Sequence, residues 1–243
     1  MEWRSWVTDG LSPDINNKTR GYIYTKRCGW IDLTHAVPGD TIRLWRRLRL
    51  DSGPSVPDYG DYRLVRHDMT MLMKSSGVWR AYAVRKRLSM PERKSVALGI
   101  YLDLSYAFEQ YQTRWPTSYI PIPSGFSVED LMSNVIAFYR ALVSSDEKDD
   151  YIARCEPVSK EKALWVWDTY APNYGLWTGN VSGELRPYLY PLEKKGSPKY
   201  GRLPDFLNKV KPASAGKGGL YWRIPDSNLN RSFFRQIELE GRG

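Results

Sequence analysis

Apolar and polar positions change period several times along this chain, and each change marks a predicted element. Residues 61–89 alternate: Val65, His67, Met69, Met71 and Met73 share one face, Ser75-Ser76-Gly77 supplies a turn, and VWRAYAVRKRL returns. That is the pattern of a β-hairpin. Tyr22, Ile23 and Tyr24 read as a short strand. A helix is predicted near 39–50, opened by Pro38-Gly39-Asp40, with Leu44 and Leu48 on one face and Arg43, Arg46 and Arg47 on another. Residues 91–145 carry two helices. Pro91 fits the first turn of the earlier one, and its VALGIYLDLSYAF is apolar almost all round, the mark of a helix buried on most sides. The later one begins SGFSVEDLMSNVIAFYRAL, where Ser127 and Asp130 stand at capping-box spacing. From 150 to 243 the pattern dissolves into WVWDTY, YGLWTGN and GLYWRIP between Pro-, Gly- and Lys-rich turns, and KPASAGKGG (211–219) reads as an exposed loop. These elements predict an α+β fold, mainly helical: a single domain over 1–243 with a small β-hairpin. Its motif-bearing core is 1–150, and an irregular, aromatic-rich C-terminal extension (151–243) packs on it.

Composition supports a folded chain. Its 243 residues are 42% hydrophobic, with 10 Trp and 17 Tyr, far from the aromatic-poor makeup of disorder. The net charge of +9 points to an anionic partner such as a wall polymer, an acidic lipid surface or nucleic acid. Nucleic acid ranks low, because no zinc-finger spacing, RNA-binding aromatic motif or helix-turn-helix signature accompanies the charge. The Arg43–Arg49 run is read as a solvated helix face. No apolar run approaches the roughly 20 residues of a membrane span. MEWRSWVTDGLS lacks the apolar stretch of a secretory signal. Synthesis in the cytoplasm, or export by a route without a cleavable signal, is therefore expected. Cys28 and Cys155 are too few for a disulfide scaffold, and both a pair and two free thiols stay open.

Candidate chemistry concentrates in GYIYTKRCGWIDLTH (21–35). Thr25, Lys26, Arg27 and Cys28 follow the strand, and Asp32 and His35 are three apart, so one helical turn puts both side chains on one face. On the buried helix, Ser105, Glu109 and Gln112 make a single polar stripe. A desolvated Glu109 suits general acid catalysis; the alternative is an ion pair with Arg114 or the hairpin. Asp103 points the other way and is read as structural. Capping is the expected role of Asp130, and interhelical hydrogen bonding that of Asn134. A thiol site would use Cys28, His35 and Asp32. A metal site would use His35 and His67 with Asp32 or Glu109, although His67 on a Val/Met face reads as a core residue. The leading reading takes no metal and no cofactor.

GYIYTKRCGWIDLTHA, the Glu109 helix and SGFSVEDLMSN resemble an uncharacterised bacterial family with the motifs R-x-G-F-I-D-x-x-H and S-x-F-S-P-E-D-L-x-S-N. Arg27, Gly29, Trp30, Ile31, Asp32 and His35 fall on the first motif. Ser124, Phe126, Ser127, Glu129, Asp130, Leu131, Ser133 and Asn134 fall on the second. Trp30 replaces Phe and Val128 replaces Pro. The likeness spans roughly 21–140 and implies a shared site, not a reaction. A second likeness supplies one. A helix ending in a lone glutamate, followed by N-V-I-x-x-Y-x-x-L, is similar to goose-type lysozymes and lytic transglycosylases. It implies Glu109 as the acid, with Asn134 and Tyr139 on the backing helix; the intervening G-L-M-Q-type hairpin is replaced by RWPTSYIPIPSG. Together these give the expected function: a bacterial peptidoglycan hydrolase that cleaves glycan strands. Glu109, His35 and Asp32 are its catalytic residues, and Arg27, Ser105, Gln112, Asn134 and Tyr139 bind substrate. It would be secreted into the periplasm of target cells as an antibacterial effector and restrained by an immunity protein. The alternatives are a metal- or thiol-dependent hydrolase and a non-enzymatic binder of an anionic polymer or partner protein.

Overall fold

The computed structural model describes residues 3–56, 58–70, 77–114, 128–143, 150–174 and 185–225. In chain order its elements are β1 (Tyr22–Thr25), β2 (Gly29–Asp32), α1 (Gly39–Leu50), β3 (Ser55–Val56), β4 (Tyr59–Thr70), β5 (Gly77–Arg85) and α2 (Met90–Arg114). These are followed by α3 (Val128–Leu142), α4 (Asp150–Arg154), α5 (Lys160–Tyr174), β6 (Tyr188–Leu189), β7 (Lys199–Tyr200) and β8 (Tyr221–Ile224). The chain forms two compact units: Met1–Gly39 with Gln112–Lys209, and Asp40–Tyr111 with Val210–Gly243.

In the first unit, β1 and β2 form an antiparallel hairpin in register Tyr22↔Asp32 to Thr25↔Gly29. Thr25 fixes its turn: the Oγ1 hydroxyl donates to Gly29 O at 2.9 Å and accepts from the Cys28 N–H at 3.1 Å. Gly29 has φ +72, and a Cβ there would run into the Tyr188 carbonyl, so backbone conformation and space both demand glycine. Residues 155–158 clamp the hairpin from outside. Lys26 N–H donates to Glu156 O, Arg27 N–H to Cys155 O, and Val158 N–H to Tyr24 O. Beneath lies an aromatic core of Tyr22, Tyr24, Trp30, Tyr170 and Tyr190, with Trp167 against it. Trp30 meets Tyr24 and Trp167 edge-on, with ring centroids 5.2 and 5.6 Å apart, the geometry that aromatic quadrupoles favour. The Tyr24 hydroxyl donates to Tyr190 O and accepts from Tyr190 N–H, so even the polar tip is satisfied. Helix α3 is buried from Met132 to Ala141 and packs against β2.

In the second unit, β3-β4-β5-β8 make a four-stranded antiparallel sheet. Its long pair runs in register from Tyr62↔Arg85 to Thr70↔Gly77. Val65, His67 and Met69 are buried on one face, where His67 lies 6.3 Å from the Tyr101 ring and Met69 meets Ser105 of α2. The Tyr82 hydroxyl donates to Asp103 at 2.7 Å and Arg80 pairs with the same carboxylate at 2.6 Å, which gives Asp103 a structural role. Helix α1 covers the predicted 39–50 span, with Leu44, Trp45 and Leu48 buried. Its end is held by Arg63, whose guanidinium donates to the carbonyls of Arg47, Leu48 and Ser52 and pairs with Asp51 at 2.8 Å. An arginine on the orphaned last carbonyls of a helix is a C-terminal cap supplied from a strand. At the start of α2, Ser89 and Glu92 form a capping box: the Ser89 N–H and hydroxyl both donate to the Glu92 carboxylate.

The fold is α+β, but not mainly helical: among the described residues, five α-helices stand beside a four-stranded antiparallel sheet and two smaller ones. Two features overturn the expectation. The small hairpin is the centre of a larger sheet, because Ser55–Val56 and Tyr221–Ile224 pair onto its two edges. The region expected to be irregular after 150 holds α4, α5 and three short strands. Strands of two to four residues are too short to show alternation, and their pairing partners lie far away in sequence. Met71, Met73, Ser75, Ser76 and the Ser127 cap lie outside the described residues. Among the described residues, no helix is long and apolar enough to cross a membrane.

Candidate functional site

Where β2 ends, one turn of helix carries the polar residues of the first motif into contact with α3. Ala36 N–H donates to Asp32 O at 3.0 Å, a single i→i−4 turn that brings Asp32 and His35 together. Asp130, in the first turn of α3, then places its carboxylate Oδ1 2.6 Å from His35 Nδ1. Donor atoms of Asp32, His35 and Asp130 all lie within 4.8 Å of one another. The three side chains differ in access. Asp130 is 5% exposed and His35 24%, and Asp32 is 9% exposed. The imidazole therefore forms the outer part of a mostly buried cluster.

The surrounding backbone holds this cluster from three sides. Asp32 N–H donates to Ser133 Oγ at 2.8 Å, tying the strand end to α3. The Thr34 N–H donates to Asp32 Oδ1 at 2.7 Å. Buried Arg140, two turns beyond Ser133 on the same helix, donates to Ala36 O at 2.9 Å and to Asn16 O at 3.1 Å. The segment carrying His35 is thus pinned at Asp32 by Ser133 and at Ala36 by Arg140. Burial raises the Asp32 carboxyl above the ordinary carboxylate range. The His35 imidazole and the Thr34 N–H oppose that rise, and the Asp130 carboxylate adds to it. Two carboxylates brought together under partial burial favour a shared proton or a cation between them.

Asp32 and His35 come together as the spacing predicts, and their partner is Asp130, which capping arguments alone had assigned to the helix terminus. Asn134 is buried on α3 beside Ser133. Tyr139 is also buried, with its ring stacked on Tyr151 at 5.7 Å, so it contributes packing to this unit. Arg27 is exposed, 4.0 Å from Glu156, and lies over the Phe206 ring at 5.1 Å. Ser105 is buried in the second unit with its hydroxyl 3.7 Å from Met69 Sδ. Glu109 stands on the part of α2 that belongs to the second unit; its side chain and those of Gln112 and Glu129 lie outside the described residues.

Two alternatives change. Cys28 is joined to Cys155 in a disulfide with Cα atoms 5.4 Å apart, so it offers no thiolate, and the thiol-dependent reading is corrected. His67 is fully buried in the second unit, where its Nε2 has no hydrogen-bond partner. Burial, reinforced by Arg47 and Arg43, pushes its pKa down to about 3. It is a neutral core imidazole, and the group that joins Asp32 and His35 is Asp130. Arg140 does not stand out in the sequence, and Asp130 and Ser133 enter only through the second motif and capping spacing; each acts on a segment about a hundred residues away. No protein-family model matches this chain, and no curated protein or solved structure shows significant similarity to it.

Proposed function

We propose that this chain is a hydrolase of the bacterial cell wall whose reaction centre is Asp32, His35 and Asp130. The observation that carries this reading is the 2.6 Å contact between His35 Nδ1 and the buried Asp130 carboxylate, with Asp32 beside it. A carboxylate on one ring nitrogen fixes the tautomer and orientation of an imidazole and assigns proton exchange to the other nitrogen. With a second carboxylate at hand, the group has what is needed to orient and activate a water molecule. Peptidoglycan is the proposed substrate because the chain carries a net charge of +9, which favours approach to an anionic wall polymer.

The disulfide supports a working place outside the reducing cytoplasm, because such bonds form and persist in oxidising compartments. The periplasm of a target cell meets that condition. Delivery there as an antibacterial effector, with an inhibitor protein protecting the producing cell, completes the proposal.

Digestion of purified sacculi, with mass analysis of the soluble fragments, tests it. The wild-type chain is expected to release muropeptides. His35→Gln and Asp130→Asn are each expected to leave the sacculi largely intact. Retention on sacculi without any release would instead establish a wall-binding protein and contradict the hydrolase reading.

A further inference from the structure

We infer that Asp32, His35 and Asp130 form a binding site for one divalent first-row transition ion, with Zn2+ and Mn2+ the best-matched species. The inference rests on the reading of these residues as the reaction centre and names the electrophile that such a centre would hold. Two carboxylates and one imidazole form a mixed oxygen–nitrogen donor set. Imidazole suits zinc and its first-row neighbours, while Mg2+ and Ca2+ prefer oxygen throughout. At bond lengths of roughly 2.0–2.2 Å, the ligand atoms of such an ion sit roughly 3–4 Å from one another. The three donors already lie within 4.8 Å. The His35–Asp130 pair, at 2.6 Å, must open slightly to admit an ion.

Charge argues in the same direction. With a neutral imidazole, the cluster concentrates two negative charges in a site where Asp130 and Asp32 are almost wholly withdrawn from water. A divalent ion seated among the three donors balances both charges. The backbone around the cluster resembles an outer ligand shell. Thr34 N–H holds one Asp32 oxygen, Ser133 accepts from the Asp32 N–H, and Arg140 anchors Ala36, the residue after His35. Groups of this kind orient metal ligands and sustain their affinity. Water on the ion would then be acidified for attack on substrate.

The chain makes this inference easy to test, because accidental transition-metal sites are scarce. It contains two histidines and two cysteines. His67 is fully buried in the other unit, and both cysteines are consumed by the disulfide. Among the described residues, no other cluster of metal-binding side chains occurs.

The experiment titrates the chelator-treated full-length chain with ZnCl2 and MnCl2 by calorimetry and with CoCl2 by visible absorption. One ion per chain is expected, with Co2+ showing the d–d bands of protein ligation. His35→Gln, Asp130→Asn and Asp32→Asn are each expected to weaken binding at least roughly tenfold while retaining the far-UV circular dichroism of the parent. Three separate substitutions ensure that the misfolding of one variant leaves two to decide the matter. Absence of saturable binding, or unchanged affinity in the folded variants, would overturn the inference. Wall digestion that persists after exhaustive chelation would also overturn it, leaving proton transfer by His35 and the hydrolase reading intact. Stoichiometric binding by an ion-loaded chain that releases nothing from sacculi would support the metal site and sink the hydrolase reading instead.

Discussion

At the residue scale, the chain's two histidines have opposite environments. His35 is partly exposed and held by a carboxylate. His67 is enclosed between the sheet and its helices, 6.3 Å from the Tyr101 ring, with Arg47 and Arg43 bearing on it. Its folded pKa of about 3 lies below the ordinary histidine value of 6.5, so the unfolded chain binds the proton more readily. Stability then rises with pH between about 3 and 6.5, and acid draws the chain toward the unfolded state. From the pKa difference, this one residue withholds about 2 kcal/mol at pH 5 relative to neutral pH. Replacing it with an apolar ring of similar size, as in His67→Phe, removes that dependence. Urea unfolding at pH 5 and pH 7 should show a smaller difference for His67→Phe than for wild type. An unchanged difference would mean that other groups govern the acid limb.

At the element scale, the β1–β2 hairpin illustrates what a sequence displays and what it conceals. Tyr22-Ile23-Tyr24 announced a strand, and the three-residue spacing of Asp32 and His35 announced their meeting. Both depend on a few neighbouring residues. The disulfide joins positions 127 apart, and Asp130 reaches His35 from a separate helix. Neither is visible in local pattern, because only the packed chain brings those segments together. Asp130 also satisfied a simpler local explanation, since an acid near a helix N-terminus is favoured without any tertiary partner. The Ser89–Glu92 box is a purely local S-x-x-E pattern before an apolar run, yet only Pro91 stood out at this helix start in the sequence.

The disulfide binds the turn of this hairpin to the end of α4, beside the backbone clamp at 155–158. Closing a loop of 127 residues removes unfolded-state entropy worth about 5 kcal/mol in the chain-entropy picture. The double variant Cys28→Ser/Cys155→Ser is therefore expected to melt roughly 10 °C or more below the parent. A reductant should lower the midpoint of the wild type and leave the double variant unmoved. Equal midpoints for parent and variant under oxidising conditions would show that the backbone clamp alone holds the hairpin.

At the scale of the whole molecule, the two units divide the work differently. The first gathers the Asp32–His35–Asp130 cluster, the proposed reaction centre, around β2 and α3. Among its described aromatic residues, Tyr22, Tyr24, Trp30, Tyr170 and Tyr190 build its core, with Trp165 and Trp167 packed against them. The second is a sheet covered by α1 and α2, and its arginines serve mainly internal ends: Arg63 caps α1, Arg80 neutralises Asp103, and Arg47 donates to the Arg66 carbonyl. Arg43 is taken up by Asp40 and Asp68, while Arg46 and Arg49 remain on the solvated face. The basic run is thus partly structural.

The central claim is that His35 and Asp130 act as one catalytic unit, and the rate of muropeptide release from sacculi tests it in a double-mutant cycle. His35→Gln and Asp130→Asn should each lower the rate by roughly a hundredfold or more, and the double variant should be little worse than the more damaged single one. Rates unaffected by either substitution, or losses that simply multiply in the double variant, would contradict the account.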